Sequence, residues 1–331
     1  MDVHKNRPLP IRWGIIGCGN VTEIKSGPAY ASAEGFSLTT VMRRDETKLK
    51  DYAKRHHIPF YTTDAHALIN DKNIDAIYIA TPPDTHAYYA LLVAEAGKPC
   101  CIEKPIAPSY DEALTIYNAF KSKNLPLFVA YYRRSLPRFL KIKEWIDGNM
   151  IGEVRHINWL FSKPANDMDL SGAYNWRTDA TIASGGYFDD LASHGLDLFT
   201  YMLGNIKEVQ GITTNQQKLY KAKDAITACW MHQTGITGSG SWHFGCHKRE
   251  DNVTILGSQG KISFSVFSED TIRLETAEKN IEETIANPKH IQQYHVQNIK
   301  KHLTDKTYLH PSTGKTALHT SWVMDRILGK I

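Results

Sequence analysis

Three titratable residues recur at helical spacing in the segment DDLASHGLD. Asp190, His194 and Asp197 stand at positions i, i+4 and i+7, which share one face of an α-helix. Histidine titrates near neutral pH, so His194 is a candidate base for oxidising an alcohol and a candidate acid for the reverse reaction. Asp190 would bind substrate hydroxyls and orient the imidazole, whereas Asp197 is expected to act behind them or as a cap. The alternative is that His194 is a buried structural residue.

A glutamate and a lysine end a short apolar run in the segment AGKPCCIEKP. Charges are costly to bury unless they are paired or used, so the run predicts a buried strand whose end places Glu103 and Lys104 in a cleft, where both are predicted to contact the cofactor. Pro105 stops the strand and restricts Lys104 to extended geometry. The lysine can stabilise an alkoxide or, if desolvation lowers its pKa, exchange a proton. A solvated loop lysine is the alternative.

Short apolar runs alternate with helical segments between residues 11 and 131, which is typical of a parallel sheet covered on both faces. The segment ETKLKDYAKRHH predicts a crossover helix. The segment SYDE, with Ser109 and Glu112 in capping-box register, predicts the start of another, extending to about residue 123. The fold class is therefore α/β with a doubly wound parallel sheet, and its predicted strands are 12–16, 37–42, 76–80, 100–103 and 127–131.

A glycine-rich turn follows the first predicted strand in RWGIIGCGNVTEI. Such a turn can present backbone N–H groups and a helix start to a pyrophosphate, which indicates a dinucleotide site. Gly14 begins the pattern, and Thr22 stands where a third glycine is usual. A purely structural turn from strand to helix is the alternative. The predicted cofactor contacts here are Gly17, Cys18, Gly19, Asn20 and Val21.

The end of the second predicted strand bears on the choice of cofactor. NAD sites usually carry an acid there for the ribose 2′-hydroxyl, whereas this chain has Arg43 and Arg44. Guanidinium groups suit a 2′-phosphate through charge-assisted bidentate bonds, which favours NADP(H) over NAD(H). Asp45 could still reach the ribose, and the arginines could be solvated loop charges.

The third predicted strand ends in the rigid, polar segment ATPPDTH. Its two prolines fix the chain direction, so we expect Thr81, Pro82 and His86 to line the nicotinamide side of the cleft. A turn in which Asp84 or Thr85 caps a helix is the alternative.

The pattern changes after a helix predicted at 138–147. The segments AITACWMHQTGITGSGSWHF and NVTILGSQGKISFSVF predict strands joined by glycine turns, which favours a mainly antiparallel sheet. A helix at 190–203 is predicted to end at Gly204. Since 331 residues exceed one ordinary core, we predict two domains, 1–128 and 129–331, with a cleft between them.

Composition excludes several classes of function. A net charge of +4 without dense basic runs predicts no nucleic-acid partner. The start, MDVHKNRPLP, lacks the apolar core of a signal peptide, and no apolar stretch approaches membrane length, so we predict a cytoplasmic protein. The five cysteines suit a reducing compartment. The segment WHFGCH could suggest zinc, but strand alternation would point His243 and His247 away from Cys246, so we predict no metal.

These segments together resemble the Gfo/Idh/MocA family of oxidoreductases, named for glucose-fructose oxidoreductase and inositol dehydrogenase. The similarity covers nearly the whole chain. It rests on GIIGCGNV, ATPPDTHAYYALLVAEAGKPCCIEKP, YYRRSLPRF with IGEV, YNWRTD and GGYFDDLASHGLDLFTYMLG. The resemblance implies an amino-terminal Rossmann domain and a carboxy-terminal α/β domain that binds substrate and whose open, mainly antiparallel sheet mediates dimers or tetramers.

The resemblance also implies roles for particular residues. Lys104, Asp190 and His194 would act together on the substrate, with a cis Lys104–Pro105 bond. Trp176 and Arg177 would approach the nicotinamide or substrate, or else pin their loop. Tyr132 and Arg134 would bind substrate similarly, or else serve the domain junction.

The expected activity is hydride transfer between NADP(H), less favourably NAD(H), and a hydroxyl or keto carbon of a sugar, cyclitol or related polyol. Two other classes remain open. One is a sugar sensor that binds dinucleotide without turnover. The other is an NAD-dependent glycosidase of the same family.

Overall fold

The computed structural model describes residues 8–331. The predicted absence of a signal peptide concerns the segment MDVHKNRPLP, and the first seven residues of that segment lie outside this range. Two compact units divide the chain: one comprises the part up to Ser135 with Pro288–Leu318, and the other Leu136–Asn287 with His319–Ile331. None of the helices between residues 8 and 331 is long and apolar enough to cross a membrane.

A six-stranded parallel sheet forms the centre of the first unit, with strand order β3-β2-β1-β4-β5-β6. This is the doubly wound order. The strands are β1 (Ile11–Ile16), β2 (Phe36–Met42), β3 (Phe60–Thr62), β4 (Ala76–Ile79), β5 (Cys100–Ile102) and β6 (Leu127–Val129). The helices are α1 (Asn20–Ile24), α2 (Gly27–Ser32), α3 (Glu46–Arg55), α4 (Ala65–Asn70), α5 (His86–Glu95) and α6 (Tyr110–Ser122).

The five strands predicted for this sheet are confirmed, each with ends shifted by no more than two residues. The sequence missed β3, because this three-residue edge strand lacks a buried face; Phe60 and Tyr61 are both exposed. The predicted start of α6 is also confirmed, since the Ser109 hydroxyl accepts the Glu112 backbone N–H at 3.3 Å.

Both faces of this sheet are covered by apolar side chains. Cys100 and Cys101 show the alternation: Cys100 packs in the core on one face and Cys101 in the core on the other. Both thiols are fully buried, and burial raises the pKa of each well above its usual range. The pair therefore fills the strand and offers no reactive thiolate.

An eight-stranded sheet forms the second unit, in the order β14-β13-β12-β11-β7-β10-β9-β8. All neighbours pair antiparallel except β7 and β10, so the predicted mainly antiparallel sheet is confirmed. Its elements are α7 (Pro137–Asp147), β7 (Val154–Ser162), α8 (Asp167–Ser171), α9 (Tyr187–Leu203), β8 (Ile206–Thr214), β9 (Ala225–His232), β10 (Thr237–His243), β11 (Glu250–Gly257), β12 (Gly260–Phe264), β13 (Ile272–Thr276) and β14 (Asn280–Glu283).

Helix α9 lies against an aromatic face of this sheet. Trp159 of β7 packs edge-on against Phe199 at 5.5 Å and against Trp242 at 5.4 Å. Gly195 allows the close approach, because a Cβ at that position would overlap the Trp159 indole. Two glycines set the helix ends: Gly186 before the start has φ +66°, and Gly204, the predicted end, has φ +91°.

The carboxy-terminal helices are α10 (Gln293–Thr304) and α11 (Gly314–Ile327). Val296, Ile299 and Leu303 of α10 are fully buried in one of the two cores of the first unit. The predicted single cut at 128/129 therefore differs from the observed division, which falls after Ser135 and returns residues 288–318 to the first unit. The reason is that α10 has an apolar face that the parallel sheet covers.

Two neutral histidines are buried beneath β6. The rings of His295 and His310 lie 4.7 Å apart, edge to face. Nδ1 of His310 accepts the Ser312 backbone N–H at 2.9 Å, and its Nε2 faces the His295 carbonyl oxygen at 3.1 Å. Burial lowers the pKa of His310 to about 3 and that of His295 well below its usual value.

These pKa values predict acid sensitivity. An unfolded histidine takes up a proton below about pH 6.5, whereas the buried ones do not, so the unfolded state gains protons and stability falls as pH drops below about 6.5. Each such group contributes a slope of up to about 1.4 kcal/mol per pH unit. We expect His310→Asn to flatten the dependence of the unfolding free energy between pH 6.5 and 5 in urea titrations. Replacing the exposed His247 by asparagine should leave the slope unchanged.

Candidate active site

The glycine turn after β1 is shaped by close contact with β4. Gly17 has φ +90°, and a Cβ there would stand 2.6 Å from Thr81 Cγ2 and 2.9 Å from the Thr81 backbone nitrogen. The N–H groups of Gly17 and Cys18 both bond to the Met42 carbonyl oxygen, at 2.9 and 3.2 Å. The turn is thus held between β2 and β4, where only glycine fits at position 17.

The next residues of the turn leave donors available. Within residues 8–331, the backbone N–H groups of Gly19, Asn20 and Val21 have no protein acceptor. A Cβ on Gly19 would meet nothing closer than 3.9 Å, so the backbone there is open to close approach. Three adjacent donors beside a side-chain-free backbone fit a pyrophosphate. Because α1 has only five residues, the donors matter more than its dipole.

Thr22, in place of the third glycine, is accommodated inside the turn. It is fully buried; its hydroxyl donates to the Gly19 carbonyl oxygen at 2.9 Å, and its own carbonyl accepts the Tyr52 hydroxyl at 3.0 Å. The substitution therefore tightens the start of α1 and leaves the donors of the turn unobstructed.

The arginines after β2 differ in their surroundings. Arg43 donates from Nη1 to the Cys18 carbonyl oxygen at 3.0 Å, so its guanidinium lies beside the glycine turn, while Arg44 is exposed. Asp45 caps α3, since its carboxylate accepts the Lys48 backbone N–H at 3.0 Å. That bond, more than any other cause, holds the pKa of Asp45 below its usual value. The acid nearest the strand end is therefore engaged as a helix cap.

His86 does not occupy the position expected from the sequence. It is fully buried, with Nε2 2.8 Å from the Thr81 carbonyl oxygen and Nδ1 3.0 Å from that of Pro105. Burial lowers the pKa of His86. The imidazole therefore ties the end of β4 to the Glu-Lys-Pro turn. Thr81 is half-buried and Pro82 exposed, in a turn where Thr85 bonds to Thr81.

The end of β5 is held from inside the first unit. Glu103 is buried, and its Oε1 accepts the Tyr78 hydroxyl at 2.6 Å and Gln292 Nε2 at 2.7 Å. Its Oε2 accepts the Lys104 backbone N–H at 3.2 Å. Glu103 thus supports the strand end from within, in contrast to the predicted cofactor contact. The Lys104–Pro105 bond is cis, which confirms that expectation.

Two adjacent aspartates at the start of α9 have different partners. Asp190 accepts Arg177 Nε at 2.5 Å, in an ion pair whose carboxylate is nearly buried. Asp189 accepts the Gly185 backbone N–H at 2.9 Å, and burial raises its pKa to about 6. Arg177 also lies over the Trp176 ring at 4.4 Å. The predicted residues Trp176, Arg177 and Asp190 therefore form one contact group.

His194 follows one turn later on α9. The helix is confirmed, so Asp190 and His194 share the predicted spacing. The imidazole is 4% exposed and lies edge-on to Phe267, with ring centroids 5.9 Å apart. Asp197 is fully buried and accepts the Thr320 hydroxyl of α11 at 3.1 Å. Asp197 therefore anchors α9, as expected for a residue behind the site.

Tyr132 and Arg134 belong to the short turn after β6. Both are buried, and Arg134 Nη1 donates to the Pro311 carbonyl oxygen at 3.1 Å inside the first unit. This bond holds the turn within the first unit, and both the predicted substrate contact and the role at the domain junction stay predictions.

The WHFGCH segment departs from the predicted alternation, because β10 ends at His243 and residues 244–247 bend. Among the residues that the structure describes, no group of three or more histidine, cysteine or acidic side chains is placed to hold a metal.

The structure groups the predicted residues by unit. In the first, the glycine turn, Arg43 and Thr81 are in contact, and Lys104 follows β5. In the second, Arg177 is paired with Asp190 at the start of α9, and His194 follows one turn later on the same helix. Joint action of Lys104 with His194 stays a prediction. The sequence missed Tyr78 and Gln292, because nothing in their local pattern signals a partner at Glu103.

A parallel sheet in this order, with such a turn after its first strand, is typical of a dinucleotide-binding protein. Two family models match the chain. Residues 11–131 match the oxidoreductase family with an NAD-binding Rossmann fold, and residues 139–263 match the GFO/IDH/MocA C-terminal domain. The chain belongs to the Gfo/Idh/MocA family of oxidoreductases, and it is an enzyme that binds a nicotinamide dinucleotide.

Individual relatives agree with this assignment. Oxidoreductase P35 of Formosa agariphila is 38% identical over 86% of this chain and 88% of its own length. Myo-inositol 2-dehydrogenase of Thermotoga maritima is 24% identical over 80% and 78%. A solved structure of levoglucosan dehydrogenase in complex with NADH has a TM-score of 0.84, covers 96% of both chains and is 22% identical, which shows the shared fold.

Proposed function

We propose that this enzyme transfers hydride between NADP(H) and a hydroxyl or keto carbon of a sugar, cyclitol or related polyol. The observation that carries the proposal is the pairing of Asp190 with Arg177 one turn before His194, at the start of a helix that packs against the second sheet. The relatives named for levoglucosan and myo-inositol support this class of substrate.

Nicotinamide, when bound, supplies the hydride acceptor or donor. The residues of the chain manage the proton and the charge on oxygen. In oxidation, His194 takes the proton of the substrate hydroxyl, while the Lys104 ammonium donates to the same oxygen and stabilises its negative charge. Asp190, fixed by Arg177, binds a neighbouring hydroxyl. In reduction, His194 returns the proton to the new alkoxide.

The preference for NADP(H) rests on Arg44, which is exposed beyond β2, and on Asp45, which is engaged as a helix cap. We expect Arg44→Ala to raise KM for NADPH about tenfold, as expected for loss of one charge-assisted bond of about 1.5–3 kcal/mol, and to leave KM for NADH unchanged. Lys50→Ala, on the exposed side of α3, is the control. Steady-state kinetics with both cofactors decide, and a wild-type preference for NADH would contradict the assignment.

Turnover of added cofactor tests the activity itself. Sugars, polyols and keto-sugars would be assayed with NADPH and NADH by absorbance at the nicotinamide band, with product analysis. Net oxidation or reduction supports the proposal. Binding of dinucleotide without turnover of any substrate would indicate a sensor, and release of sugar without net cofactor change would indicate a glycosidase.

The same proposal places the protein in the cytoplasm as a homodimer or homotetramer assembled through the second sheet. One face of that sheet carries polar side chains in contact: His156 bonds to Thr237 and Ser239, and Asn158 bonds to Ser239. Light scattering after gel filtration measures the oligomer size, and a monomer would contradict this part.

A further inference from the structure

Two cations stand at the same end of two neighbouring strands in the second unit. Ser162, the last residue of β7, pairs with Glu250, the first residue of β11, in antiparallel register. Lys163 comes directly after Ser162, and Arg249 directly before Glu250. Continuing the antiparallel register places Lys163 and Arg249 opposite each other, on one face of the sheet.

That face carries aromatic side chains and the start of α9. Lys163 Nζ lies 3.5 Å from the centroid of the Tyr187 ring. Arg249 Cζ lies 5.4 Å from the Phe161 ring and 5.9 Å from the Phe267 ring. The Phe267 ring in turn contacts His194. Arg249 therefore shares the Phe267 ring with His194, and Lys163 lies against Tyr187, the first residue of the helix that carries His194.

Neither cation has an ionic partner in the part of the chain that the structure describes. Nearby carboxylates have other partners: Asp190 is paired with Arg177, Asp169 accepts the Tyr187 hydroxyl at 2.6 Å, and Asp251 accepts the Phe267 backbone N–H at 2.7 Å. Lys163 is more than half buried, and burial, with the charges of Arg249 and Arg177, lowers its pKa against the opposing pull of the carboxylates.

Lys163 and Arg249 differ in exposure: Lys163 is half-buried, and Arg249 is exposed. A partly buried cation without an acid is costly to maintain, because cation–π contact replaces only part of its hydration. An arginine and a lysine presented together on one face are suited to binding a carboxylate, sulfate or phosphate.

We propose that Lys163 and Arg249 bind an anionic substituent of the substrate, so that the enzyme acts on acidic sugars or polyols in preference to neutral ones. This inference rests on the proposed function and adds to it that the substrate carries a negative charge. The shared chemistry is a singly or doubly charged oxyanion, and hexuronates, hexose sulfates and hexose phosphates represent its three sources.

The test compares binding and turnover of matched sugars. Glucuronate, galacturonate, glucose 6-sulfate and glucose 6-phosphate would be titrated calorimetrically against the protein with its cofactor, beside glucose and galactose. We expect at least one anionic sugar to bind about tenfold or more tightly than its neutral parent, as for one charge-assisted contact. Lys163→Gln and Arg249→Gln should each remove most of that difference and leave binding of the neutral sugar unchanged.

Lys248→Gln is the control, because Lys248 is exposed next to Arg249 and ion-paired with Glu250 at 2.6 Å. The proposal would be overturned if every neutral parent bound as tightly as its acidic derivative or more tightly. It would also be overturned if the two variants weakened the binding of neutral and acidic sugars alike, or raised only the KM for cofactor. Turnover of neutral sugars alone would overturn the anion site and leave hydride transfer standing. Selective binding of an acidic sugar without turnover would support the anion site and count against hydride transfer.

Discussion

Lys104→Ala and His194→Ala are each expected to lower kcat about 100-fold or more, because each removes a group that manages the proton or the charge on the reacting oxygen. Cofactor affinity should stay near that of the wild type, since the glycine turn and Arg43 are untouched. The measurement is steady-state turnover of the best substrate, together with fluorescence titration of NADPH.

Two further variants separate chemistry from folding. Lys72→Ala removes an exposed lysine from the first unit and should be without effect. His194→Asn keeps a polar side chain in the buried position and should be as inactive as the alanine variant while unfolding at the same urea concentration as the wild type. Full activity of both Lys104→Ala and His194→Ala would show that the roles are assigned to the wrong residues.

Gly195→Ala is expected to destabilise the second unit by about 1–3 kcal/mol, the usual cost of overpacking a core. Alanine is the better helix former by about 1 kcal/mol, so helix propensity alone predicts the opposite sign. The added Cβ would overlap the fully buried Trp159 indole, and α9 would have to move away from β7. Urea unfolding of both proteins measures the difference.

The contact between position 195 and Trp159 is tested by making the same substitution in a second variant. Trp159→Phe removes the outer ring of the indole that a Cβ at position 195 would meet, so Gly195→Ala should cost less in that variant than in the wild type. The same cost in both backgrounds would show that the loss arises elsewhere in the helix.

Local patterns in the sequence were sufficient to predict most of the strands and helices of the fold. Buried apolar runs identified five of the six strands of the parallel sheet, and Ser109 with Glu112 identified the start of α6, because each signal resides within a few consecutive residues. The short edge strand β3 has no such signal, since its side chains are exposed on both faces.

The sequence predicted the reactive residues of the candidate site better than the residues that hold them in place. Asp190 and His194 follow from helical spacing, and the Arg177–Asp190 contact joins residues 13 apart. By contrast, Gln292 reaches Glu103 from 189 residues further along the chain, which no local spacing encodes. His86 was assigned to the cofactor because a polar residue at a strand exit suggests a ligand, whereas its two ring nitrogens face backbone carbonyl oxygens.

The late position of α10 has a consequence for biosynthesis. Val296, Ile299 and Leu303 complete the apolar core around β1 and β2, yet they are translated more than 150 residues after Ser135 (296 − 135 = 161). A domain whose residues have all been translated can fold while the ribosome is still elongating. This nucleotide-binding unit cannot complete its core until α10 has been translated. A nascent fragment ending at Ser135 should consequently remain bound to chaperones. A transplanted nucleotide-binding unit would need Pro288–Leu318 as well as the part up to Ser135.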